Sequence, residues 1–117
     1  MIHIQYHRGA GDAPGADPAS LRLEVEGHAG FAQPGADPVC AGVSALVLTL
    51  AANLTDLAAA GTVRDPEIHL RSGFALLGCR CEPGLLPVAR LVFDALWTGL
   101  TVLSGLYPEY ILCKISN

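Results

Sequence analysis

The stretch Leu21–Leu50 reads LRLEVEGHAGFAQPGADPVCAGVSALVLTL, and two hydrophobic periods meet in it. Leu21, Leu23 and Val25 alternate with Arg22, Glu24 and Glu26, the period of a strand with one buried face. From Pro38 the period changes. Val39, Val43, Leu46, Val47, Leu50, Leu54 and Leu57 recur at helical spacing, which predicts a helix over Pro38–Ala60. Asp37 before Pro38 is a start signal, an N-cap residue followed by proline at the first helical position. Gly61 supplies a stop. A strand, a Gly-bearing connection and an amphipathic helix in succession place the chain among mixed α and β folds.

The rest of the chain extends this pattern. MIHIQYHR (residues 1–8) alternates with Ile2, Ile4 and Tyr6 on one face, so a strand precedes the quoted one. The Gly-, Pro- and Asp-rich segment Gly9–Ser20 has no period and reads as a long loop closing a hairpin. PEIHLR and GFALLGCRCE read as two further strands, turned at Ser72-Gly73. A second helix is predicted over Leu85–Leu106. YILCKI closes the chain as a strand, with Ile111, Cys113 and Ile115 on one face. The order β-β-α-β-β-α-β predicts an α/β (α+β) two-layer sandwich with a mostly antiparallel sheet and two helices. Its 117 residues make one domain, 1–117, without internal repeats.

Composition restricts the partners. Hydrophobic residues make up 51% of the chain and charged ones 15%, with a mean hydropathy of +0.42. The most apolar run, Leu85–Tyr107, is long enough to span a bilayer, but it carries Pro87, Arg90 and Asp94. Residues 1–20 lack the apolar core of a secretory signal. The expectation is a cytoplasmic protein without a membrane partner. Leu91, Val92, Phe93, Leu96, Trp97, Leu100, Val102 and Leu103 cover most of the second helix's circumference. A helix apolar nearly all round is buried all round, so a symmetric homodimer is expected. The net charge of −4 and the scattered basic residues argue against nucleic-acid binding.

Cys40, Cys79, Cys81 and Cys113 are the cysteines. Without a secretory signal, a disulfide framework is not expected. The CRC pair lacks the two-residue gap of zinc knuckles and no His/Cys pair follows it, so Cys79 and Cys81 read as small buried thiols facing one way. A metal or redox role for them is the weaker alternative. No cofactor or metal is expected.

Cys40 differs from the other three. With Asp37 at the N-cap, it lies in the first helical turn, where the dipole and unpaired amides favour a thiolate and could hold an oxyanion. His28 follows the strand, and a loop with Gly30 and Gly35 could bring its imidazole to the sulfur, as cysteine nucleophiles require. Ser44 sits one turn after Cys40 on the same helix face. Asp37 could orient His28, although capping is its simpler task. Spacing alone leaves a buried cysteine and a surface histidine as the alternative.

GHAGFAQPGADPVCAGVSAL (residues 27–46) resembles the signature of the ribosomal-processing cysteine protease family, Prp: Gly-His-Ala, a glycine-bearing loop, then Gly-x-Asp-x-Val-Cys-Ala-x-x-Ser. The resemblance extends over the chain's length and element order. It implies a homodimeric cysteine endopeptidase with Cys40 as nucleophile and His28 as base. Asp37 and Ser44 would support them, and the loop marked by Gly30 and Gly35 would order over substrate. The implied substrate is the precursor of large-subunit ribosomal protein twenty-seven, which loses a short N-terminal extension during ribosome maturation. The alternative is a non-catalytic, ribosome-associated dimeric assembly factor.

Overall fold

β1 (Ile2–His7) and β2 (Ser20–Glu26) pair antiparallel, with Ile4 opposite Val25 and Tyr6 opposite Leu23. The computed structural model describes residues 1–9 and 20–116, so most of the predicted loop over Gly9–Ser20 lies outside the described residues. The alternation is as the sequence predicts: Ile2, Ile4, Tyr6, Leu21, Leu23 and Val25 are all buried. β3 (Arg64–Arg71) and β4 (Phe74–Arg80) form the second hairpin, and β5 (Ile111–Ser116) lies parallel to β1. The sheet runs β3-β4-β2-β1-β5, antiparallel except for the β1–β5 pair.

Two helices pack on one face of this sheet. α1 (Pro38–Ala59) buries Val39, Val43, Val47, Leu50, Ala51 and Leu54. α2 (Leu86–Leu106) buries Leu86, Ala89, Phe93, Leu96 and Leu100. A single 3₁₀ turn, Pro83–Leu85, leads into α2, so the helix begins one residue later than predicted. The helices meet through glycines. A Cβ at Gly99 would stand 3.0 Å from a Leu46 methyl, and one at Gly42 would stand 3.3 Å from a Leu103 methyl. Each missing side chain makes room for a leucine of the facing helix. The Tyr6 ring stacks on Phe93, with centroids 5.9 Å apart, and its hydroxyl donates to Asp94 Oδ1 at 2.8 Å. Arg8 grips the same carboxylate with Nε and Nη2. Both helices are long and apolar enough to cross a membrane, while one stripe of each lies against the sheet.

The sheet edges depart from the sequence reading. β3 begins at Arg64, before the predicted PEIHLR, and carries Pro66 within a register shift between Arg64 and Glu67. Proline is tolerated there because β3 is an edge strand and a bulge needs no ladder donor. Asp65, with φ of +49°, takes the turn of that bulge. β4 ends at Arg80, so Cys81 lies just beyond the strand, and both Cys79 and Cys81 are buried. In β5 the predicted inner face fades along the strand: Ile111 is buried, Cys113 half-buried and Ile115 exposed.

Candidate active site

The sheet registers determine which loops meet. Glu26 pairs with Phe74 in the β2–β4 ladder, so residues just after β2 lie beside those just before β4. The Gly27 N–H accordingly donates to the Gly73 carbonyl at 2.8 Å. His3 pairs with Glu26 in the β1–β2 ladder, which brings Met1 to His28, and the Met1 nitrogen donates to the His28 carbonyl at 2.7 Å. Gly27 takes a φ of +106°, and a Cβ there would fall 2.3 Å from the Met1 carbonyl oxygen, so this corner needs glycine. The His28 backbone is thus held at the end of the central strands, with an exposed side chain.

Cys40 approaches from the other side. Asp37 is the N-cap of α1, as predicted, and its buried carboxylate accepts four backbone N–H groups. Val39 and Cys40 donate to Oδ1 at 2.9 and 3.1 Å, and Phe31 and Ala32 to Oδ2 at 3.0 and 3.1 Å. Burial alone would raise the Asp37 carboxyl. The backbone donors, Cys40 first among them, outweigh it and hold the carboxyl below the usual carboxylate range. One side chain therefore starts the helix and folds the preceding loop onto it. Gly30 and Gly35 take φ of +72° and +85° along that loop, and the Phe31 ring packs edge-on against Tyr107 and Tyr110.

Two expectations change. Asp37 makes no hydrogen bond to His28, since its oxygens serve the backbone. The first-turn amides of α1 are not open to an oxyanion either. Pro38 has none, those of Val39 and Cys40 go to Asp37 Oδ1, and that of Ala41 goes to the Asp37 carbonyl. The donor directed at the sulfur is the N–H of Ala29, 3.4 Å from Cys40 Sγ, the residue next to His28. The N-cap placement was legible from Asp37-Pro38. The role of Ala29 depends on how the loop folds, which no local pattern encodes.

His28, Cys40 and Ser44 line one open cleft of about 420 Å³. Its walls are Val43, Val47 and Leu48 of α1 and, across from them, Leu70 to Ala75 of the β3–β4 hairpin. The half-buried Cys40 and exposed Ser44 and Leu48 are spaced one helical turn apart along the α1 wall. The His28 ring lies against Gly73, and no hydrogen bond joins it to Cys40 Sγ among the described residues. The hairpin wall escaped the sequence reading, in which Ser72-Gly73 was only a turn. The remaining thiols have different surroundings: burial, with Cys81 beside it, pushes Cys79 up to about 12, and burial also raises Cys113. No group of three or more His, Cys, Asp and Glu residues among the described residues could hold a metal ion.

Comparison with known proteins places the fold. A crystal structure of an essential ribosomal processing protease Prp from Staphylococcus aureus, with a covalently linked product peptide, superposes with a TM-score of 0.70 at 20% identity, covering 99% of this chain and 100% of that one. The same protease with a substrate peptide gives 0.64 at 19% identity, with coverages of 99% and 100%. A Streptococcus mutans protein gives 0.64 at 26% identity, covering 98% of this chain and 93% of that one. No curated protein sequence matches. The model of one sequence family, described as cysteine protease Prp, matches residues 1–112, and the chain belongs to that family.

Proposed function

We propose that this cysteine protease removes a short N-terminal extension from the precursor of large-subunit ribosomal protein twenty-seven, in the cytoplasm and as a homodimer. The observation that carries the reading is the meeting of His28 and Cys40 on one cleft, brought there by different elements and lined along its length by apolar side chains. An extended peptide laid in the cleft passes between the α1 wall and the β3–β4 hairpin, with its scissile carbonyl at Cys40 Sγ.

The reaction runs in two steps. The His28 imidazole, seated on Gly73, turns a ring nitrogen toward the sulfur and takes the thiol proton. The Ala29 N–H, already directed at Sγ, stabilises the negative charge formed there. The thiolate attacks the carbonyl carbon, a C–S bond forms, and the C–N bond breaks as His28 returns its proton to the leaving amine. Water, deprotonated by His28, then hydrolyses the thioester, releasing the extension and restoring the thiol. Ser44, whose hydroxyl has no hydrogen-bond partner among the described residues, faces the same cleft and binds the substrate backbone.

α2 supports the dimer. Val88, Leu91, Val102 and Leu106 are 48%, 71%, 56% and 67% exposed. With exposed Ala95 and Thr98 they form a stripe at spacings of three and four. A second copy of the helix would cover it.

The test mixes the protein with the extended precursor and follows the product by mass. Loss of the extension, absent with Cys40→Ala, is the expected result. An intact precursor, or equal cleavage by Cys40→Ala, overturns the reading. A non-cleaving assembly factor would bind ribosomal protein or rRNA equally well with and without the Cys40 thiol.

A further inference from the structure

We infer that Gly73, in the β3–β4 turn, is a positioning residue for His28, an inference that rests on the reading of His28 as the base. Three observations converge on it. Gly73 has a φ of +74°, in the left-handed region that favours glycine. Its carbonyl accepts the Gly27 N–H at 2.8 Å, which ties the turn to the residue before His28. A Cβ at position 73 would stand 2.7 Å from His28 Nε2, 3.2 Å from Cε1 and 3.4 Å from Cδ2. The imidazole therefore rests on a bare Cα. The hydrogen bond at Gly27 and the one accepted by the His28 carbonyl hold the backbone, so the ring can adjust only by rotating its side chain.

The consequence is specific. Any L side chain at position 73 excludes the observed ring position, and the ring loses the seat from which it turns to the sulfur. Backbone strain and ring displacement are separable. Asparagine tolerates positive φ better than alanine but carries the same Cβ. Gly61 provides the control: its φ is +76°, and nothing lies within 4 Å of a Cβ built there. Gly61→Ala thus introduces the same backbone strain without touching the site.

The experiment measures kcat and KM on the extended precursor, the melting temperature, and the rate at which iodoacetamide alkylates Cys40, for the parent, Gly73→Ala, Gly73→Asn, Gly61→Ala and His28→Ala. Misplacing a catalytic group by about 1 Å can cost about a hundredfold in rate. The expectation is a fall of about that size in kcat for both Gly73 variants with KM little changed. Gly73→Asn melts above Gly73→Ala, Gly61→Ala keeps the parent kcat, and Cys40 alkylation slows in Gly73→Asn as it does in His28→Ala. A folded Gly73→Asn with parental kcat and parental alkylation overturns the inference, as does a loss confined to KM. Alkylation needs no substrate. A parent that fails to cleave therefore counts against the protease reading alone, while the alkylation arm still decides whether Gly73 seats the histidine.

Discussion

Asp37 shows how much a single side chain can organise. It caps α1 through Val39 and Cys40 and holds the loop through Phe31 and Ala32, so the helix carrying Cys40 and the segment next to His28 share one anchor. Asp37→Ala should lower the melting temperature and reduce cleavage together, because the loss frees the loop carrying Ala29 as well as the helix start. Its pH dependence follows from the lowered carboxyl: the contribution is present above the ordinary carboxylate range and is lost as pH falls through that range and below. Denaturation of the parent and Asp37→Asn should show a stability gap at neutral pH that narrows at acid pH. The motif made Asp37 legible as a cap. That it spends every interaction on backbone, and none on His28, required the folded loop.

At the scale of elements, the two helices and the sheet are joined by contacts that span long stretches of sequence. Tyr6 of β1 and Arg8 just after it converge on Asp94 of α2, where burial alone would raise the carboxyl and hydrogen bonds from Arg8 and Tyr6 lower it. Tyr6→Phe keeps the packing and removes one donor to a charged acceptor, so it should cost about 1–2 kcal/mol in chemical denaturation. Gly99→Leu should cost about 1–3 kcal/mol, because the new side chain must displace Leu46 at the crossing of the helices. The elements themselves were legible because their periods are clean: alternation in β1 and β2, helical spacing in α1. Edges were less so. Pro66 and the bulge beside it hid the start of β3, and Ile115 is exposed toward the end of β5 although Ile111 at its start is buried. The hairpin wall of the cleft was invisible for a different reason: pairing Glu26 with Phe74 is a long-range choice that no window of sequence contains.

For the whole molecule, apolar side chains fill the core between sheet and helices and also form an exposed stripe on α2 that includes Val88, Leu91 and Val102. The proposed dimer puts this stripe at its seam, so Leu91→Arg should leave the fold intact and shift the protein from dimer to monomer in sedimentation, because a buried unpaired charge is costly there. Parental dimerisation in that variant would place the interface elsewhere. The account as a whole depends on Cys40 being the nucleophile among four cysteines. The most direct measurement is intact-mass spectrometry, with peptide mapping, of the protein quenched during reaction with a peptide spanning the precursor's cleavage site. The account predicts a transient acyl adduct on Cys40, together with shortened peptide, and neither in Cys40→Ala. An adduct on Cys79, Cys81 or Cys113, or shortened peptide from Cys40→Ala at the parental rate, would contradict it.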